Sequence, residues 1–66
     1  MVDLPLAAVT RIMKRTGAER VSAESAQRMT EAAEKYISDL ATSAAKFTNA
    51  GHRKTIQASD IDAALN

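Results

Sequence analysis

Residues 23–50 read AESAQRMTEAAEKYISDLATSAAKFTNA, and this stretch decides the fold. It contains neither glycine nor proline, so nothing interrupts a helix once it has started. Met29, Ala33, Tyr36, Ile37, Leu40, Ala44 and Phe47 follow one another at intervals of 4, 3, 1, 3, 4 and 3, which traces one stripe along a helix. Ser22 stands where an N-cap is wanted, Glu24 complements the positive end of the helix dipole, and Asn49-Ala50-Gly51 supplies the stop. A helix of about 26 residues spans roughly 39 Å. A compact chain of 66 residues has a radius of gyration of about 11 Å, equivalent to a sphere about 28 Å across. The helix is longer than the globule that would contain it, so its apolar stripe needs cover from a second chain. A two-fold homodimer is the simplest closed arrangement.

Outward from this helix the pattern is short. On the N-terminal side, Pro5 fits the first turn of a helix, and Leu6, Val9, Ile12 and Met13 recur at helical spacing until Thr16-Gly17. Gly17 to Ser22 form a loop in which Val21 can plug the core. On the C-terminal side, Gly51 to Thr55 form a second loop. A third short helix then starts near Gln57 or Ala58 and turns Ile61, Ala64 and Leu65 inward. The expected fold is all-α, a short helix, loop, long helix, loop and short helix in a single domain over residues 1–66.

Composition narrows the function. Alanine supplies 14 of the apolar residues, leaving sixteen larger ones to build a core. Chains this small usually lean on disulfides, a metal or a partner subunit. Cysteine is absent and His52 is the one histidine, which excludes a disulfide framework and a Cys/His metal site. No metal or cofactor is expected, and a partner chain is what remains. No apolar run approaches the ~18 residues of a membrane span. The start, Met1-Val2-Asp3-Leu4-Pro5, lacks the basic flank and apolar stretch of a leader, so a cytoplasmic location is expected. One histidine and no cysteine also leave little from which to assemble a catalytic constellation or a small-molecule site.

The net charge of +1 is uninformative, but its distribution is not. Arg11, Lys14, Arg15 and Arg20 form one basic group, opposed by Glu19 alone, and Arg53-Lys54 lie within a stretch, residues 46–59, that holds no acid. If two long helices cross antiparallel, Arg20 of one copy neighbours Lys54 and Thr55 of the other, twice per dimer. That sums two modest clusters into a positive rim suited to a phosphate backbone. A helix-turn-helix does not fit, because the last helix offers Ser59, Asp60 and Asp62 to a groove and no cation. A ribbon-helix-helix dimer does not fit either, because Pro5 opposes a leading strand.

Leu4-Pro5-Leu6-Ala7, Arg11-Ile12-Met13-Lys14, Gly17-Ala18-Glu19-Arg20-Val21-Ser22, Arg53-Lys54-Thr55-Ile56 and Asp60-Ile61 together resemble the minimal tail-less histones of archaea, with short bacterial relatives. The resemblance covers essentially the whole chain. It implies a histone-fold homodimer that bends, wraps or compacts double-stranded DNA without sequence readout, associated with the nucleoid. It implies that Arg20 enters the minor groove, braced by Thr55 of the neighbouring loop. It also implies that Lys54, Arg11 and Lys14 lie along phosphates, and that Arg53 and Asp60 form an internal ion pair. Arginines entering an inward-facing minor groove without reading bases are the known nucleosome arrangement. Arg15 falls at a position that is often acidic in the family and adds a candidate phosphate contact. The dimer core is expected at Met29, Ala33, Tyr36, Ile37, Leu40 and Phe47.

The chain departs from the family where dimers stack into tetramers. The histidine and leucine that serve there correspond to Ala50 and Ala63, and the only histidine is displaced to His52. A dimer–dimer contact through Phe47, Ala50, His52, Asp60 and Ala63 is a conditional expectation. The competing function is a histone-fold dimerisation module acting mainly on other proteins. Such a module need not retain Arg11, Lys14, Arg20 and Lys54 together.

Overall fold

The computed structural model describes residues 4–66. The leader reading of the first residues therefore falls partly outside the described chain. Three helices follow in order: α1 (Leu6–Arg15), α2 (Ala23–Ala50) and α3 (Ala58–Leu65). No strand occurs among the described residues.

Local chemistry sets each boundary. Pro5 is not in the first turn of α1 but caps it from outside, at φ −66° and ψ 123°, and its carbonyl accepts from the Val9 amide at 3.2 Å. A proline there loses nothing, because the missing N–H belongs to a position that has no helical partner. The helix ends where the Gly17 amide reaches Lys14 O at 3.1 Å and Gly17 takes φ 112°, a region closed to most side chains. Ser22 caps α2, its Oγ accepting from the Ser25 amide at 3.1 Å. At the far end of α2 the left-handed residue is His52, at φ 59°, rather than Gly51.

The chain divides into two compact units, Met1–Lys35 and Tyr36–Asn66, each holding a short helix, a loop and its share of α2. In the first, the buried residues are Val9, Ala26 and Thr30. Thr30 satisfies its hydroxyl by donating to Ala26 O at 2.7 Å, and the Leu4 amide donates to Glu34 Oε2 at 2.9 Å. In the second, the buried residues are Ala44, Thr48 and Asp60. No buried side-chain polar atom among the described residues lacks a partner.

The apolar stripe read from the sequence separates into two kinds of residue. Ala44 is 0% exposed and so belongs to the chain's internal packing. Tyr36 (61%), Ile37, Met29 and Phe47 are exposed, and Ala33 and Leu40 are half-covered. Leu65, expected to point inward, is exposed as well, along with Leu6, Ile12 and Ile56. Eight large apolar side chains stand in the open among the described residues, more than is usual for a chain that folds alone.

Candidate nucleic-acid interface

The first unit carries four of the six residues assigned to DNA. Arg11, Lys14 and Arg15 occupy the C-terminal half of α1, where Lys14 and Arg15 also complement the negative end of its dipole. Arg20 lies in the loop between the Gly17 turn and the Ser22 cap. That loop is pinned at its start by Thr16, whose Oγ1 donates to Met13 O at 2.6 Å. All four cations are exposed, and no ion pair engages them among the described residues. Lys54 and Thr55 lie in the second unit, both exposed, in the loop between α2 and α3.

The loop that carries Lys54 and Thr55 is held by a buried carboxylate. Arg53 and Asp60 form a two-pronged ion pair, Nη2 to Oδ1 at 2.8 Å and Nη1 to Oδ2 at 2.9 Å. Asp60 is 3% exposed. Its Oδ2 also accepts from the Gln57 amide at 2.9 Å, at the N-terminus of α3, and from the Thr48 hydroxyl of α2 at 2.7 Å. The Arg53 guanidinium first, then the Gln57 amide and the Thr48 hydroxyl, hold Asp60 far below the ordinary carboxylate range. The same hydrogen bond raises the Arg53 pKa. Gly51 leaves room for this pair: a Cβ there would sit 3.0 Å from Arg53 Nε. One carboxylate thus ties α2, the loop and the start of α3 together, and fixes the backbone immediately before Lys54.

Asp60, one of the residues considered for a dimer–dimer contact, is 3% exposed, and both its oxygens accept hydrogen bonds inside its own unit. The other residues considered for that contact stand differently: Phe47, Ala50 and His52 are exposed and Ala63 is half-buried. The resemblance implies the pairing of Arg53 with Asp60, but Thr48 and Gln57, which also bind that carboxylate, were not anticipated. The Gln57-to-Asp60 spacing of a capping box was the available signal for Gln57. Nothing in the sequence marked Thr48, whose role depends on where α3 lies. Among the described residues no group of three or more potential ligands could hold a metal ion, and no helix is long and apolar enough to cross a membrane.

Residues 2–65 match the family described as histone-like transcription factor (CBF/NF-Y) and archaeal histone. The chain belongs to this family. It is similar to the archaeal histone HAN1 of Thermococcus zilligii, at 35% identity over 65 residues, covering 98% of this chain and 97% of that one. It is equally similar to the probable archaeal histone 3 of Methanocaldococcus jannaschii, at 35% identity over 65 residues, with 98% and 97% covered. The three helices and two loops described above are the histone fold of that family. Histone-fold members are architectural chromatin proteins rather than enzymes.

Proposed function

We propose that this histone-family chain is a sequence-nonspecific architectural protein of the nucleoid, acting in the cytoplasm as an antiparallel homodimer that bends, wraps or compacts double-stranded DNA. One observation carries the reading. Arg11, Lys14, Arg15, Arg20 and Lys54 are all exposed and unpaired among the described residues, and every one of them lies on α1 or in a loop. Glu19 shares the first loop with Arg20, whereas Glu24, Glu31, Glu34 and Asp39 stand on α2, interspersed with Arg28, Lys35 and Lys46.

In an antiparallel dimer built on the Met29, Ala33, Tyr36, Ile37, Leu40 and Phe47 seam, the first loop of one copy meets the second loop of the other. Arg20 then enters a minor groove, with the partner copy supplying Thr55 beside it and Lys54 on the adjoining phosphate. Arg11, Lys14 and Arg15 continue the track along the backbone. None of these contacts reads a base edge, so affinity comes from phosphates and from the ease of deforming the duplex. The basic residues are not interleaved with aromatics, which disfavours single strands. Arg53 acts one step back from the DNA, through the Asp60 clamp that fixes Lys54.

The test is affinity for a random-sequence duplex as a function of salt. Arg11, Lys14, Arg20 and Lys54 in two copies give about eight contacts and a log–log slope of about −7. A slope near zero overturns the assignment, and an intact dimer without DNA affinity at low salt leaves the protein-interaction module in its place. Arg20→Ala should weaken binding about tenfold on all duplexes alike. A loss confined to one sequence contradicts the minor-groove role.

A further inference from the structure

His52 is the chain's one histidine, and the rim described above does not use it. It lies two residues beyond the end of α2 and immediately before Arg53, Lys54 and Thr55. Its backbone is fixed from both sides. Gly51 N–H donates to Phe47 O at 3.2 Å, His52 N–H to Asn49 O at 3.0 Å, and Arg53 N–H to Thr48 O at 3.1 Å, closing the end of α2. On the other side the Arg53 guanidinium is clamped to Asp60. The left-handed φ of 59° turns the chain at this residue, while the side chain remains exposed. The charged groups of the elements around it are Lys46 on α2, Arg53 and Lys54 in the loop, and Asp60 and Asp62 on α3. Asp60 is occupied by Arg53, Thr48 and Gln57, and no ion pair or hydrogen bond engages the imidazole among the described residues.

An exposed imidazole held on a fixed turn, two residues from Lys54, is placed to add charge to the same edge. Histidine is the side chain whose charge changes between about pH 5 and 8. We propose that His52 is a further DNA-backbone contact, engaged through its protonated ring. A phosphate beside the ring favours the imidazolium, so binding takes up a proton and tightens as pH falls. This rests on the architectural reading above and extends it to a residue that makes the affinity of the rim pH-dependent.

The test uses the full chain and a random-sequence duplex at about pH 6 and about pH 8. Two variants accompany it: His52→Asn, because asparagine tolerates the left-handed backbone, and His52→Lys, which keeps the charge at both pH values. The wild-type protein should bind about 2- to 5-fold tighter per chain at the lower pH, with a salt slope steeper by about 0.9 per chain. His52→Asn should lose this response, and His52→Lys should bind tightly at both. A His52→Asn protein that keeps the wild-type pH response overturns the inference. So does a wild-type protein with the same affinity and slope at both pH values, and either result leaves the architectural reading standing. Absence of duplex binding at both pH values removes both.

Discussion

Two faces of the same helix, α2, are built from different residues. The face that packs within the chain shows Ala26 and Thr30 near one end and Ala44 and Thr48 near the other, small side chains at the same spacing of four. The neighbouring seam, Met29, Ala33, Tyr36, Leu40 and Phe47, carries the large ones and leaves most of them open. Small residues let a short helix approach α2 closely, while contributing little apolar area themselves. The large residues, which would stabilise a core most, are withheld from it. This chain does not bury its largest apolar side chains on α2 within itself, and in the proposed dimer a second copy covers them.

The inner face differs between its own two ends as well. Thr30 donates only to the carbonyl one turn back, whereas the hydroxyl proton of Thr48 serves the Asp60 carboxylate at 2.7 Å, closer than Ala44 O at 3.2 Å. The second end is therefore braced by a charge, and it is the end that precedes the loop bearing Lys54.

The comparison breaks most severely at the outer seam. Tyr36→Glu combined with Ile37→Glu places four charges in the proposed interface of each dimer. Dimerisation should weaken by at least about 4 kcal/mol, roughly a thousandfold, with loss of helical circular dichroism and of DNA binding together. Smaller but clear is the effect of Ala44→Leu on the inner face, where a larger side chain has no room. Thermal unfolding should show a loss of about 1–3 kcal/mol, with the dimer and its salt slope retained by the folded fraction.

The braced end gives a pH signature. Asp60 is held below its ordinary pKa, so its contribution is fully present above about pH 4, the unfolded carboxylate value, and is lost as pH falls from there toward the lowered native value. Asp60→Asn should be less stable at neutral pH and should lose stability less steeply in acid than the wild-type protein, as acid titration followed by circular dichroism will show. The finest contrast is between the two threonines. Thr30→Val should cost well under about 1 kcal/mol in denaturant unfolding, while Thr48→Val should cost clearly more because it removes a hydrogen bond to the buried, charged Asp60 carboxylate.

The three helices, both loops and the Gly17 and Ser22 boundaries were legible in residue spacing and capping chemistry. The split of the α2 stripe was not. Hydrophobic periodicity reports that Ala44 and Tyr36 avoid water, but not whether the cover comes from the same chain or another. Leu65 was assigned inward on the same ground and is exposed. Asp60 was identified as the partner of Arg53 only through the family resemblance, and its burial and its bond to Thr48 depend on the placement of α3 within its unit, which no local pattern encodes. His52 occupies the left-handed position that glycine usually takes, while Gly51 stands one residue earlier, where a Cβ would sit 3.0 Å from Arg53 Nε. The basic positions were visible as a charge distribution, and their exposure fits the rim proposed for them.

The central claim, that the exposed seam of α2 is covered by a second copy, is tested most directly by sedimentation equilibrium of the 7.1 kDa chain in dilute buffer without DNA. A folded species of twice that mass is expected, with an unfolding midpoint that rises with protein concentration. A folded species of single-chain mass, with a midpoint independent of concentration, would contradict it.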